Sequence, residues 1–240
     1  MLKDYFDKLY RGDQKSFFDE IGAALQAGDK RFVVTANPET LMIGESNPDF
    51  DTVLKKSDVT IVPDGIGVVK GAEMLGMEMH GRVTGVELAA HLIALCHEGK
   101  KKLFLYGAKQ EVLTALTEKI SREYPDCVLC GAENGYGGRD DEVFPEIVKA
   151  EPDVVLVALG IPRQELLIDR YYDSFEKGIF VGVGGSFDVL SGTKRRAPKI
   201  FVKLNLEWLW RILREPARLG RFYRSNVKYF SRIRHLKKES

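Results

Sequence analysis

The sequence predicts an α/β fold in which a mostly parallel sheet is covered by helices on both faces. Short runs rich in Val, Ile and Leu alternate with segments of helical periodicity along most of the chain. The runs are apolar throughout, which is typical of strands buried on both faces. Helices between such strands connect strands that run in the same direction. These features predict a Rossmann-like core, whose ligands bind beyond the carboxyl ends of the strands.

The predicted elements follow one another in a regular order. The first stretch, to about Lys30, has apolar residues at helical spacing and is predicted to be helical. Two further helices are predicted over residues 85–97 and 109–123. Six apolar runs are predicted to be strands, and they comprise residues 31–36, 58–63, 102–106, 127–130, 153–159 and 178–183.

Length and composition exclude several classes of protein. The chain has 240 residues, of which 44% are hydrophobic and 30% are charged, as in ordinary globular proteins. Three cysteines are too few for a disulfide framework. The sequence contains no apolar run of the roughly 18 residues that a transmembrane helix needs. The amino-terminal residues lack the apolar core of a signal peptide, so a cytoplasmic protein is expected.

The net charge of +1 conceals an uneven distribution. Residues 194–240 contain 15 Lys and Arg against 3 Asp and Glu, whereas residues 1–193 contain 21 and 32. A basic tail on an acidic body favours an anionic partner, which is a membrane, a nucleic acid or a phosphorylated substrate. We therefore predict a core over 1–194 and a C-terminal basic helical appendage over 195–240.

Polar residues and glycines follow the first two predicted strands. Thr35 and Asn37 end the first strand, and Asn37 either caps the next helix only or binds a ligand together with Thr35. Asp64, Gly65 and Gly67 follow the second strand. The glycines allow the backbone to approach a ligand closely, and Asp64 is either a helix cap or a general base.

Later segments add groups that suit a diphosphate. Arg82 is either a surface cation or a bidentate ligand for a diphosphate at the mouth of the cleft. Arg163 and Gln164 begin a helix after the fifth strand, and a basic residue there opposes the helix dipole, which favours a functional role. Gly184 and Gly185 follow the last strand with basic residues nearby, which favours phosphate binding.

Two short patterns are interpreted as structural rather than metal-binding. Cys127 and Cys130 lack a second pair of ligands at zinc spacing, so buried thiols are expected. Asp49 and Asp51 match the Asp-x-Asp metal motif of many sugar transferases, but so short a match arises easily by chance. No metal site is predicted.

Five motifs, in order along the chain, resemble those of the TagA/WecG/CpsF glycosyltransferases, also known as glycosyltransferase family 26. They are Thr35-Ala36-Asn37-Pro38-Glu39, Pro63-Asp64-Gly65-x-Gly67, Arg82-Val83-x-Gly85, Gly160-x-Pro162-x-Gln164-Glu165, and Gly182-Val183-Gly184-Gly185-x-Phe187-Asp188-x-Leu190-Ser191-Gly192 with Arg196-Ala197-Pro198. They span about residues 31–198, and the tail resembles the appendage of that family. One departure is Glu87, where aspartate is expected in many relatives.

The resemblance implies an inverting, metal-independent transfer of a sugar from a UDP-sugar to a polyprenyl-diphosphate-linked sugar. TagA-like members add N-acetylmannosamine to undecaprenyl-diphosphate-N-acetylglucosamine and so build the wall teichoic acid linkage unit, whereas WecG-like members add N-acetylmannosaminuronic acid. The donor stays open among UDP-N-acetylmannosamine, its uronic acid and UDP-glucose. No cofactor is expected beyond the two substrates. The expected location is the inner membrane surface, held by anionic lipid, and a homo-oligomer stays open.

The resemblance also implies roles for individual residues. Asp64 is the base that activates the acceptor hydroxyl, and Arg82 neutralises charge on the diphosphate. Thr35 and Asn37 position the sugar hydroxyls or the acetamido group, and Gln164 bonds near the reacting sugars. The remaining candidate substrate contacts are Gly65, Gly67, Gly184, Gly185, Phe187, Asp188, Arg196 and, in the tail, Arg214, Arg221 and Arg224.

The tail mixes aromatic and aliphatic residues with Lys and Arg. Both tryptophans of the chain, Trp208 and Trp210, lie in it, and Pro216 is predicted to break its helix. This pattern favours a helix in the membrane interface. A helix docked on its own core is the structural alternative. Two other functions stay open: a nucleic-acid-binding protein that uses the tail, although no nucleic-acid motif is present, and a nucleotide-dependent enzyme whose tail serves oligomerisation.

Overall fold

The fold is a six-stranded sheet in which every neighbouring pair of strands is parallel, in the order β2-β1-β6-β5-β3-β4. The computed structural model describes residues 2–137 and 139–239, except for the side chains of Lys199, Arg211, Arg218, Arg221 and Glu239. The strands are β1 (Lys30–Ala36), β2 (Val59–Pro63), β3 (Lys102–Gly107), β4 (Val128–Glu133), β5 (Val154–Ala158) and β6 (Gly178–Gly182).

Helices connect the strands and cover both faces of the sheet. Those that precede or connect the strands are α1 (Leu2–Asp7), α2 (Gln14–Ala27), α3 (Pro38–Ser46), α4 (Pro48–Lys55), α5 (Ile66–Met74), α6 (Gly85–Glu98), α7 (Gln110–Glu123), α8 (Asp140–Ala150) and α9 (Arg163–Tyr171). After β6 come α10 (Ser186–Leu190), α11 (Lys199–Lys203), α12 (Glu207–Arg214) and α13 (Leu219–Glu239). The predicted α/β fold with a parallel sheet is therefore confirmed.

Alternate strand residues point into two separate cores. Val34 belongs to a core cluster with residues of α1, α3, α4, α5, α8, α9 and α13, whereas Val33 belongs to a second cluster with residues of α2, α6, α7 and α10. Both valines are almost fully buried, as the apolar runs predict. The chain leaves β1 into α3 on the first face and leaves the adjacent β6 into α10 on the second. A crevice therefore opens where β1 and β6 end, which is the ligand position in such sheets.

The stretch up to Lys30 is mostly helical, as predicted, and the apolar spacing that predicts it lies in α2. The helix is interrupted between α1 and α2, because Leu9 and Tyr10 run beside β2. The Tyr10 N–H donates to the Ile61 carbonyl at 2.8 Å, and Leu9 forms a parallel bridge with Ile61. Asp13 then caps α2, since its carboxylate accepts from the Ser16 N–H at 2.7 Å. Helical spacing on both sides of the break concealed it.

The tail folds back onto the core. A 3₁₀ turn over Pro216–Arg218 separates α12 from α13, so the predicted break at Pro216 is confirmed. Helix α13 lies on α3 and α5, with Tyr229 and Ile233 fully buried. An ion pair of 3.0 Å joins Arg232 of α13 to Glu45 of α3. In the part of the chain that the structure describes, no helix is long and apolar enough to cross a membrane.

Gly71→Ala is expected to weaken the docking of α13. A Cβ at residue 71 would lie 2.0 Å from the Tyr229 hydroxyl, and such overpacking costs about 1–3 kcal/mol. Tyr229→Phe is expected to be neutral or stabilising, because the hydroxyl is buried without a hydrogen-bond partner in the described chain. Because it removes the hydroxyl that the new Cβ would meet, the Gly71→Ala, Tyr229→Phe double variant should be more stable than Gly71→Ala alone. Urea unfolding measures both effects, and equal stability of Gly71→Ala and wild type would contradict the packing.

Candidate active site

Three polar side chains converge on the first residue of α6. The Asp64 carboxylate accepts a hydrogen bond of 2.8 Å from the Gly85 N–H. A Cβ placed on Gly85 would lie 3.4 Å from both the Thr35 and the Ser186 hydroxyl oxygens. A residue near the end of β1 and residues that follow β2 and β6 therefore surround one helix N-terminus at the carboxyl edge of the sheet. Ser186 was missed by the sequence argument, although it stands inside the last motif and directly after two glycines.

Asp64 makes a cap contact with α6, which is the first of the two roles that the sequence left open. Its main-chain N–H donates to the Ala36 carbonyl at 2.9 Å, which continues the pairing of β1 with β2. Its half-buried carboxylate lies at the N-terminus of a 14-residue helix, where the helix dipole stabilises negative charge. The cap interaction is thus present. It holds the carboxylate at a fixed place at the edge of the cleft, and a role as general base stays a prediction.

Thr35 and Asn37 both bond within the protein. The Thr35 hydroxyl donates to the Gly182 carbonyl at 3.0 Å and so joins β1 to β6. Asn37 caps α3, because its side chain accepts from the Thr40 N–H at 3.1 Å while its own N–H donates to the Thr40 hydroxyl. The helix cap that the sequence predicts for Asn37 is therefore present. Contacts of Thr35 and Asn37 with a sugar stay predictions.

The glycines after β2 are required partly by packing. A Cβ on Gly67 would lie 2.7 Å from the Pro38 ring, so α5 can begin against α3 only if residue 67 has no side chain. Gly65 is less restricted, since its nearest neighbours would lie 3.4 Å or more away. Packing thus explains Gly67 without a ligand, whereas close approach of a ligand to Gly65 stays a prediction.

Two arginines share one carboxylate of the tail. Arg82 bonds to Glu207 of α12 at 2.9 Å, and Arg196 bonds to the same carboxylate at 3.4 Å. Arg196 also donates to Glu87 at 2.6 Å. The Arg82 and Glu207 side chains retain only 17% and 15% of their exposure. An anion therefore already lies between two guanidinium groups beside the cleft.

Glu87 connects this arginine cluster to α6. Its carboxylate accepts from the Thr84 hydroxyl at 2.8 Å and from the Gln14 amide at 3.0 Å. Burial opposes its ionisation, but the hydrogen bonds from Arg196 and Thr84 outweigh burial and hold the pKa of this carboxyl below its ordinary value. The glutamate at this departure from the family pattern therefore bonds to Thr84, the N-cap of α6, and pairs with Arg196.

A second cleft lies where β3 and β5 end. It has a volume of about 590 Å³, and Ala108, Gly135, Tyr136, Asp140, Leu159 and Arg163 are among its lining residues. Arg163 binds Asp140 through two nitrogens, at 2.9 and 2.5 Å, and also donates to the Gly135 carbonyl at 3.3 Å. The cation that opposes the helix dipole thus holds the loop that carries Tyr136. The Tyr136 ring is 64% exposed and offers a face on which a planar base can stack.

The comparisons with known proteins identify the family. The model of the glycosyl transferase WecG/TagA/CpsF family matches residues 7–240. The chain belongs to this family. The family's match includes the whole tail, so the appendage is part of the shared architecture and not an extension peculiar to this chain.

Three relatives cover most of the chain. A protein of Bacillus spizizenii is 40% identical over 202 residues, which are 84% of this chain and 78% of that protein. One of Bacillus subtilis is 39% identical over 91% of this chain and 79% of its own length. One of Staphylococcus aureus strain MW2 is 36% identical over 86% and 79%. All three are named N-acetylglucosaminyldiphosphoundecaprenol N-acetyl-beta-D-mannosaminyltransferase.

The remaining candidates of this glycosyltransferase are dispersed. Phe187 is fully buried in the core beneath α6 and α7, so it supports α10 and does not line the cleft. Asp188 pairs with Lys194 at 3.3 Å.

Of the candidate arginines in the tail, two contact residues that are near them in the sequence. The Arg214 guanidinium lies 4.9 Å from the centre of the Trp210 ring, and the Arg224 guanidinium donates to the Gly220 carbonyl. Both side chains are exposed. The side chain of Arg221 lies outside the described residues. Ligand contacts by Arg214, Arg221 and Arg224 stay predictions.

The short acidic and cysteine patterns have structural partners. Asp51 lies in the first turn of α4, accepts from the Tyr5 hydroxyl and pairs with Lys55 at 2.8 Å. Cys130 lies on β4 and donates to the Leu103 carbonyl, and Cys127 immediately precedes that strand. Across the residues described, no three His, Cys, Asp or Glu side chains are grouped so as to hold a metal ion.

A buried carboxyl in the first turn of α9 makes stability depend on pH. Burial raises the pKa of Glu165 from 4.5 to about 7. As the pH rises, the unfolded chain loses this proton first, so the folded state loses about 3 kcal/mol between pH 4.5 and pH 7 and no more above it. Urea unfolding of wild type and Glu165→Gln at pH 5 and pH 8 measures this. From pH 5 to pH 8, the free energy of unfolding of Glu165→Gln is expected to rise relative to that of wild type by about this amount. Equal pH dependence of the two proteins would contradict the prediction.

Proposed function

We propose that this chain transfers N-acetylmannosamine, with inversion, from its UDP-linked form to N-acetylglucosamine on a polyprenyl diphosphate. The observation that carries the proposal is the convergence of Asp64, Thr35 and Ser186 at one helix N-terminus, beside two arginines that already bind an anion. The printed names of the three relatives support the choice of donor and acceptor.

Asp64 acts as the general base in this proposal. A single displacement requires the acceptor hydroxyl to attack the anomeric carbon opposite the departing UDP, and the proton of that hydroxyl passes to the Asp64 carboxylate. The bond from Gly85 fixes the carboxylate, so its position is set before substrate arrives. Thr35 and Asn37 stand at the end of the neighbouring strand, where they would position the transferred sugar.

Arg82 and Arg196 supply the positive charge for the leaving diphosphate. A guanidinium group suits two oxygens of one phosphate, and its interaction strengthens as the leaving group gains charge. In this structure both arginines hold the Glu207 carboxylate, which occupies the position of an anion. We propose that the diphosphate takes over part of this contact when the donor binds. The reaction then proceeds at an equal rate with and without a metal chelator.

The donor assay tests the proposal. The full chain is mixed with UDP-N-acetylmannosamine and a lipid-diphosphate-N-acetylglucosamine acceptor in the presence of chelator, and UDP release is followed. Release that depends on the acceptor is expected. The uronic acid donor and UDP-glucose serve as comparisons. Faster UDP release from either would assign that donor to this chain and would leave its family unchanged. No acceptor-dependent release with any of the three donors would contradict the proposed function.

We further propose that the tail binds the inner membrane surface. Large apolar side chains of the tail are exposed among its basic residues, a combination that favours the membrane interface. They include Ile200, Leu204, Trp208, Leu213, Leu219, Tyr223 and Val227, which are between 37% and 65% exposed. Each nearby Lys or Arg adds about 1 kcal/mol of attraction to an anionic leaflet.

Sedimentation with vesicles of mixed phosphatidylglycerol and phosphatidylcholine tests this surface. Wild type is expected to bind, and Leu213→Asn with Leu219→Asn is expected to bind at least about tenfold more weakly, because two apolar contacts with lipid are lost. Val128→Asn, at an exposed apolar residue of β4, is the matched control. Wild type that stays in the supernatant would contradict membrane binding, and binding to single-stranded RNA alone would favour a nucleic-acid partner.

A further inference from the structure

Two neighbouring side chains in the first turn of α9 are buried, although both are polar. Gln164 is 2% exposed and Glu165 is fully buried. The Gln164 amide donates to the Glu165 carboxyl at 2.7 Å, while the second carboxyl oxygen of Glu165 has no hydrogen-bond partner in the described chain. Burying such a group costs free energy unless it is bonded, so this arrangement needs an explanation.

The Gln164 side-chain oxygen joins two glycine turns. It accepts from the Gly160 N–H at 3.0 Å and from the Gly184 N–H at 3.1 Å. Gly160 follows β5 and Gly184 follows β6, and both have positive φ angles, of +82° and +47°, which favour glycine. One amide oxygen therefore fixes the separation of the two strand ends at the edge where the cleft opens.

Glu165 determines which way this amide faces. If the Gln164 amide were turned over, its NH₂ group would meet two N–H donors and its oxygen would meet a carboxyl oxygen. The acceptor supplied by Glu165 therefore selects the orientation in which Gly184 is bonded. The pair lies flat against β6, because a Cβ on Gly182 would be 2.5 Å from the Gln164 nitrogen and 2.7 Å from a Glu165 oxygen.

We infer that Glu165 is a positioning residue that acts through Gln164 to hold the turn of Gly184 and Gly185 where the donor's diphosphate binds. The inference rests on the proposed function for the role of that turn, but not for the hydrogen-bond arrangement. The turn leads directly into Ser186, so its position also sets one of the three side chains around the N-terminus of α6. Gln164 thus acts on the site through its hydrogen bond to this turn.

The protonation state of Glu165 matters for an anionic substrate. Burial raises its pKa to about 7, so at higher pH a negative charge forms behind the turn. The elements in contact with α9 include α4, α8, β6 and the 3₁₀ turn over Tyr172–Ser174, and β6 contains no titratable residue. The other titratable and charged groups of α9 and of these neighbours are Arg163, Asp169, Arg170, Tyr171, Asp49, Asp51, Lys55, Tyr172, Asp173, Asp140, Asp141, Glu142, Glu146 and Lys149, with Lys56 directly after α4. Arg163 pairs with Asp140 and Arg170 with Asp141. Lys56 pairs with Asp169 and Lys55 with Asp51, so these charges are balanced locally.

Two substitutions, Glu165→Met and Glu165→Gln, distinguish the loss of the hydrogen-bond acceptor from a change in side-chain volume. Methionine keeps the volume but removes the acceptor, so the Gln164 amide loses its fixed orientation. Amide hydrogen exchange at Gly184 and Gly160 should accelerate about tenfold, and the KM for the UDP-sugar should rise by about the same factor, as expected for one buried hydrogen bond. Glutamine keeps the acceptor oxygen and should restore both values. Glu111→Gln on the exposed face of α7 is the matched charge control.

The outcomes distinguish this inference from the proposed function. Unchanged exchange at Gly184 in Glu165→Met would overturn the inference, whatever the activity. If wild type is inactive with every donor, the proposed function fails while the exchange experiment still decides the inference. If Glu165→Met does not fold, the pH profile decides: the donor KM of wild type should rise above about pH 7 and that of Glu165→Gln should not. Identical profiles would overturn the inference.

Discussion

Asp64→Asn is expected to lower kcat by about 10²–10⁴ while the protein stays folded, because general-base catalysis contributes a factor of that size. The amide oxygen of asparagine can still accept from the Gly85 N–H, so the cap of α6 is retained. The amide cannot take the proton of the acceptor hydroxyl. Acceptor-dependent UDP release at saturating concentrations of both substrates measures the change.

Two controls make this result specific to the base. Asp126→Asn changes the same residue type on the surface, where 55% of the side chain is exposed, and should leave kcat unchanged. UDP binding, measured by calorimetry, should be similar in wild type and Asp64→Asn. If kcat of Asp64→Asn stays within about threefold of wild type, Asp64 only caps the helix and another group accepts the proton.

Arg82→Ala is expected to lower kcat by about 10²–10³, the usual loss when one donor to developing negative charge is removed. The loss should fall on kcat more than on the donor KM, because the charge on the leaving diphosphate grows in the transition state. Arg82→Lys should recover part of the rate, since it keeps the charge but not the bidentate geometry.

Glu207→Gln shows whether Arg82 acts on the substrate or only holds the tail. This variant weakens the ion pair between Arg82 and α12 but leaves the guanidinium group in place. If Arg82 serves the diphosphate, Arg82→Ala will be far less active than Glu207→Gln. Similar losses in both variants would mean that the arginine is a tether for the tail.

The sheet could be predicted because its strands are buried on both faces. Runs such as the one at residues 154–158 are apolar without interruption, and only a central parallel strand buries every residue in this way. The amino-terminal break could not be predicted, because Leu9 and Tyr10 leave the helix to pair with Ile61, a contact of high sequence separation. Helical spacing alone does not reveal such a partner.

Of the candidate site, only the residues at the ends of strands could be predicted from the sequence. Thr35 lies near the end of β1 and Asp64 follows the adjacent β2, so parallel topology brings them together. Ser186 and Glu207 join the cluster through the packing of α6, α10 and α12, and no local pattern marks that contact. The sequence placed Gln164 in the site, but only the structure shows that its amide bonds to two glycine turns.

The anomeric configuration of the lipid-linked product tests the central claim most directly. The wild-type chain is incubated with UDP-N-acetylmannosamine, whose sugar is α-linked, and with the lipid-diphosphate-N-acetylglucosamine acceptor. The new linkage is then assigned by its one-bond carbon–hydrogen coupling in NMR. A single displacement with Asp64 as base predicts a β linkage. An α linkage would contradict the account, because a single displacement from the face opposite the departing UDP cannot retain the configuration.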